Sequence, residues 1–175
     1  MNQQSKNIYL IGFMGSGKTT FGKLLAEVLQ MNFIDIDAEI EQWQGKTIAD
    51  LFASGGEVNF RQLEREMLHR CSEKGVSLIS TGGGAPCFFD NMDYMNGNGL
   101  TVYLQASAEE LFKKLKPFRE KRPLLRDKSD KELLDYIQEK LKEREPYYFK
   151  AGIILPADEY DPEVLIQRFR FLTSL

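Results

Sequence analysis

The stretch "NIYLIGFMGSGKTTFGKLL" constrains this chain more than any other. An apolar run at residues 8–11 enters a glycine-rich loop. After the loop, Phe21, Leu24, Leu25, Val28 and Leu29 follow the i, i+3, i+4, i+7, i+8 spacing of one buried helical stripe. Gly12, Gly17, Lys18 and Thr19 keep the eight-residue spacing of a phosphate-binding loop between that strand and that helix. Glycine lets the backbone turn tightly and aim several N–H groups at one anion, and the helix start adds its positive end. Lys18 is placed to reach β- and γ-phosphates, the Thr19 hydroxyl to ligate Mg²⁺, and Thr20 to add a hydroxyl at the α-phosphate. A chance match to the pattern would rarely fall between a strand and a helix.

Further short apolar runs at residues 33–36, 76–80, 100–104 and 152–155 alternate with helical patterns. Ser107 and Glu110 read as a capping box before Leu111 and Phe112. Leu133, Leu134, Ile137 and Leu141 mark another helix, and Asp161 with Pro162 reads as an N-cap followed by proline at the first helical position. Five continuous apolar strands separated by helices predict an α/β three-layer sandwich, a five-stranded parallel sheet flanked by helices. Ligands of such a sheet gather at the carboxyl ends of its strands. With 175 residues the chain supports one domain. Its formal net charge of −3 argues against a nucleic-acid coat. No apolar run reaches the length of a membrane span, and the polar start "MNQQSKN" lacks a signal-peptide core. Cys71 and Cys87 form no C-x-x-C pair, so a cytoplasmic chain with reduced thiols is expected.

Three features describe what lies opposite the phosphate loop. Strand alternation through "NFIDIDAEI" predicts Asp35 and Asp37 on one side at the carboxyl end of the second strand. A metal-and-acceptor pair and a simple helix cap at Asp37 both fit that pattern. In "GEVNFRQLEREMLHRC", Glu57, Arg61 and Glu64 share a helix face, as a solvated salt-bridge ladder or as a site where Arg61 forks onto a substrate carboxylate. His69, the only histidine, reads as surface or packing, since no second ligand or base accompanies it. Gly82, Gly83 and Gly84 end the third strand, either as punctuation or as bare backbone against a small ligand.

Together, "GFMGSGKTT", "FIDIDAEIE", "GEVNFRQLE", "STGGGA", "KRPLL" and "REPYY" resemble, in order and over nearly the whole chain, the motifs of shikimate kinases. The resemblance implies a P-loop NTPase fold of the nucleoside-monophosphate-kinase type, with a substrate-binding region at residues 37–75 and a lid at 113–128. It implies transfer of the ATP γ-phosphate to the 3-hydroxyl of shikimate with Mg²⁺. Gly15, Ser16, Gly17, Lys18, Thr19 and Thr20 would contact the nucleotide phosphates, with Asp35 supporting the Thr19-bound metal through water. Asp37, Gly83 and Gly84 would meet the shikimate hydroxyls, Arg61 and Arg144 its carboxylate, and Arg122 would reach over ATP from the lid. Lys18, Asp37 and Arg122 are the expected catalytic set. One departure concerns the upstream lid arginine of many family members. Here "KKLKPFREKR" offers Lys114, Lys116 or Arg119 in its place. Tyr160 is a candidate to cover the adenine. ATP and shikimate are the expected partners, without nucleic acid or membrane, and a monomer is expected.

Two rivals keep the phosphate loop. Gluconate kinases carry a similar acidic pair, but their third strand does not usually end in three glycines. A catalytically silent nucleotide-binding module would not require Lys18, Thr19, Asp37 and Arg122 together. A GTPase would need N-K-x-D and D-x-x-G motifs, and neither occurs.

Overall fold

β1 (Asn7–Ile11) is buried at every position, and parallel neighbours cover both its edges. The computed structural model describes residues 6–122, 124–157 and 161–173. Within it, β2 (Asn32–Asp35), β3 (Ser77–Ser80), β4 (Gly99–Gln105) and β5 (Ile153–Pro156) join β1 in one parallel sheet of order β2-β3-β1-β4-β5. Side-chain alternation sends successive residues to opposite faces. Ile8, Leu10, Leu78, Val102 and Leu104 therefore meet Phe21 and Leu25 of α1 (Lys18–Leu29) and Leu165 and Phe169 of α7 (Pro162–Thr173). Tyr9, Ile11, Ile79 and Tyr103 pack on the other face. There they meet α2 (Ile36–Gln44), α3 (Ile48–Glu73), α4 (Asn91–Asn98), α5 (Ala108–Leu115) and α6 (Asp130–Tyr148). Each fully buried Leu or Phe in these layers contributes about 1.5–3 kcal/mol. The three-layer α/β sandwich follows from strands apolar on both sides.

The local signals behave as their chemistry requires. Ser107 Oγ accepts the Glu110 N–H at 3.3 Å, and the Asp161 carboxylate accepts the Glu163 N–H at 2.9 Å ahead of α7. At the second strand the structure corrects the strand-alternation reading. β2 ends at Asp35, and Ile36 already begins α2, so Asp37 lies in the first turn of a helix. The cap is Asp35, whose Oδ1 accepts the Asp37 N–H at 3.1 Å. The two carboxylates share a site because a helix starts between them, not because a pleat repeats.

α3 is two helices joined at Gly56, whose φ of 71° and ψ of 176° suit glycine alone. The bend brings Phe52 against Phe60, with ring centroids 4.4 Å apart. Residues 113–128 take in the last turn of α5, a 3₁₀ helix (Lys116–Lys121) and the turns leading to α6. Among the described residues, no helix is long and apolar enough to cross a membrane.

Candidate active site

The loop after β1 turns through three glycines with positive φ, Gly12 (141°), Gly15 (83°) and Gly17 (93°). At Gly12 a Cβ would also stand 2.7 Å from the Leu104 carbonyl oxygen. Lys18 opens α1 and folds back, its Nζ donating to the Gly12 and Phe13 carbonyls at 2.8 and 2.9 Å. Burial pushes its pKa down to about 8, against the attraction of Asp37 and Asp35. Beside it, Thr19 Oγ1 donates to Asp35 Oδ2 at 2.8 Å. These are two hard oxygen donors at the rim of a cavity, a set that suits a hydrated Mg²⁺.

That cavity, about 360 Å³, is lined by Gly15, Gly17, Lys18, Thr19, Thr20, Asp35, Asp37, Gly83, Lys114 and Arg122, among others. A second cavity of about 530 Å³ abuts it and holds Arg61, Glu64, Gly82, Gly84 and Arg144. Met14, Asp37, Gly83 and Arg122 line both. The fold thus gathers every residue expected of the site except Ser16, whose side chain is fully buried and lines neither cavity. Tyr160 lies outside the described residues.

Asp37 stands at the junction. Burial raises its pKa to about 6, the Asp35 charge adds to the rise, and Lys18 and Arg61 oppose it. Its buried Oδ1 accepts no hydrogen bond from the described residues. A buried carboxylate oxygen left without a donor is costly unless a ligand supplies one.

The Glu57–Arg61–Glu64 series forms ion pairs, with Glu57 at its solvent end and Arg61 and Glu64 buried. Arg61 is 6% exposed and Glu64 1%. Arg61 donates to Glu64 Oε2 at 2.5 Å and to Glu57 Oε1 at 3.0 Å, while its guanidinium carbon lies over the Phe88 ring, 4.5 Å from the centroid. Burial pushes Glu64 up to about 7, against the charge and hydrogen bond of Arg61. Glu64 is the wall residue that helical spacing underrates, since i, i+3 periodicity reports a shared face and not its depth.

The three glycines are selected by space. None has a positive φ. A Cβ at Gly82 would lie 2.2 Å from Glu64 Oε1, one at Gly83 3.1 Å from the Met14 nitrogen, and one at Gly84 2.6 Å from the Arg61 guanidinium. Bare backbone is what lets the phosphate loop and the Arg61 helix approach the same strand end.

Of the three candidates for the upstream lid cation, Lys116 and Arg119 pair with Asp130 at 2.6 and 2.7 Å and line neither cavity. Lys114 lines the phosphate-loop cavity.

A family model described as shikimate kinase matches residues 14–171. A curated shikimate kinase from Phocaeicola vulgatus is 50% identical over 160 residues, 91% of each chain. A crystal structure of shikimate kinase from Bacteroides thetaiotaomicron superposes with a TM-score of 0.91 at 45% identity, covering 97% of this chain and 99% of that one. Another, from Acinetobacter baumannii in complex with shikimate, gives a TM-score of 0.87 at 34% identity and covers 98% and 95%.

Proposed function

This chain belongs to the shikimate kinase family, and from that premise we infer that it transfers the γ-phosphate of ATP to the 3-hydroxyl of shikimate, releasing shikimate 3-phosphate and ADP. The observation that carries the assignment to this site is the unpaired Asp37 oxygen on the wall common to the two cavities. A donor hydroxyl there would stand between the phosphate loop and the two arginines. ATP occupies the cavity of Lys18, and shikimate that of Arg61 and Arg144.

Thr19 and Asp35 would hold Mg²⁺, which neutralises phosphate charge as it develops. The remaining work falls to side chains. Phosphoryl transfer passes through a loose transition state, so orientation and charge neutralisation supply most of the rate. Lys18 and Arg122 spread positive charge over the transferring oxygens. Asp37 accepts the hydrogen bond of the attacking hydroxyl and fixes its line of approach. With a pKa near 6 it is ionised at neutral pH, and it takes the proton as the new bond forms. Residues 113–128 act as the lid. Phe118 and Leu124 on that segment are half exposed and line the mouths of the two cavities, and closing them down would exclude water from the transfer.

The test is ADP release with shikimate, gluconate and shikimate methyl ester as acceptors. Shikimate alone should turn over efficiently. The ester should lose on the order of 10²-fold in kcat/KM, because Arg144 would face a neutral group in a desolvated wall. Equal kcat/KM for acid and ester would overturn the carboxylate assignment, and preference for gluconate would overturn the acceptor.

Lys114 replaces the upstream lid arginine in this reading. Lys114→Ala should raise the KM for ATP several-fold, with the shikimate KM unchanged. Lys116→Ala and Arg119→Ala should leave both constants within twofold, since neither side chain lines the phosphate-loop cavity. An ATP KM that moves only with Arg119→Ala would reverse the choice.

A further inference from the structure

Tyr148 is the last residue of α6, and its side chain is fully buried. It contributes to the wall of neither cavity. Its ring packs against Tyr103, with centroids 4.9 Å apart. Its hydroxyl donates a hydrogen bond to the Gly83 carbonyl, across 65 residues of sequence. Burial pushes the Tyr148 pKa up, with Arg144 pulling against it, so the phenol keeps its proton at any working pH. It is a donor only a ring can place there.

A trans peptide is planar, so its C=O and the following N–H point in opposite directions. No cis peptide occurs among the described residues. Holding the Gly83 carbonyl therefore sets the direction of the Gly84 N–H. That N–H donates to no backbone acceptor among the described residues. Gly84 lines the shikimate-side cavity, hard against the Arg61 guanidinium. A Cβ on Gly83 would crowd the phosphate loop at Met14. The 83–84 peptide is thus wedged between the two cavities, and a rotation of its plane would turn the donor away from the acceptor.

We propose that Tyr148 is a positioning residue for the acceptor: its hydroxyl locks the Gly83–Gly84 peptide so that the Gly84 N–H faces the bound substrate oxygen. The proposal rests on the acceptor site argued above. One turn before Tyr148, the same helix carries Arg144 into the cavity wall. α6 therefore supplies a charge that binds the acceptor and a brace that aims the glycine backbone at it.

The test is Tyr148→Phe, which keeps the ring and its packing on Tyr103 and deletes the one hydroxyl. Tyr9→Phe is the control. Tyr9 is equally buried and donates to Ser72, among residues that line neither cavity. Both variants should lose similar thermal stability. The same hydroxyl also interacts with Arg144, so both acceptors are compared. Tyr148→Phe alone should lower kcat/KM about tenfold, mainly through KM, by a similar factor for shikimate and for its methyl ester, with the KM for ATP held within twofold. A loss confined to the acid would act through Arg144 and overturn the brace. In glycine-selective ¹⁵N spectra of the ligand-free protein, the Gly84 peak should move in Tyr148→Phe and stay in Tyr9→Phe, because a bond to a carbonyl perturbs the next amide nitrogen. In the wild type, a slowly exchanging Tyr148 hydroxyl proton with Overhauser contacts to Gly83 and Gly84 should be visible even if the variant does not fold. An unmoved Gly84 peak, an unchanged shikimate kcat/KM, parallel losses for both substrates, or absence of that proton would each overturn the proposal. Failure of the wild type to phosphorylate shikimate would instead strike the acceptor assignment, and the Gly84 shift would still decide the brace.

Discussion

Arg122→Ala is expected to lower kcat and kcat/KM for shikimate together, by on the order of 10²- to 10³-fold, while ATP affinity stays within a few-fold. Arg122 follows the 3₁₀ helix and lines both cavities. Burial pulls its pKa down and Asp37 opposes the shift, yet an arginine so placed keeps its charge. A cation on the shared wall sits where charge moves from ATP to acceptor, so it gains most at the transition state and little in either ground state. Arg122→Lys should recover only part of the loss, because an ammonium offers a point charge where the guanidinium offers a planar fork. Single-turnover kinetics with ATP binding measured separately checks both parts. Unchanged turnover would reduce Arg122 to a surface charge, and a loss confined to ATP binding would make it a nucleotide clamp.

The fold was legible because its three central strands, β3, β1 and β4, are apolar and buried on both faces. The apolar runs at 8–11 and 100–104 fall within β1 and β4, with edges displaced by a residue. The phosphate loop was legible because three positive-φ glycines before a lysine leave few alternative conformations. What escaped was whatever depends on depth or on distant contact. The Arg61–Glu64 pair looks the same in sequence whether solvated or sealed under Phe52, Phe60 and Phe88. Tyr148 stood in the "REPYY" motif, but a hydroxyl bond to Gly83 leaves no periodic trace. In "DIDAEI" the structure departs from strand alternation for a local reason. An aspartate that ends a strand and caps the next helix gives the same i, i+2 spacing as two pleats. The pairing holds because both routes bring Asp35 and Asp37 to one cavity.

Asp37→Asn should cost activity and raise stability at once. Positioned acid–base groups contribute about 10²- to 10⁴-fold, and a loss in that range is expected, with ATP affinity spared. Stability moves the other way. The folded carboxyl stays protonated up to about pH 6, whereas its ordinary value is 3.8. Between those values the folded chain binds more protons than the unfolded one, so stability falls as pH rises and the whole penalty applies above about 6. Asparagine removes a penalty of about 3 kcal/mol. The Tm of Asp37→Asn should therefore exceed that of the wild type at pH 8, and the two should converge below about pH 4. Asp35→Asn separates the roles. Asparagine caps a helix as well as aspartate does, so α2 and the Tm should hold. The loss of anionic character beside Thr19 should shift turnover to higher Mg²⁺. Turnover against Mg²⁺ for both variants, with melting at pH 4 and pH 8, is the deciding measurement. A Tm for Asp37→Asn at or below wild type at pH 8 would remove the buried-charge argument. Rescue of Asp37→Asn, and not of Asp35→Asn, by excess Mg²⁺ would assign the metal to Asp37 and the acceptor to Asp35.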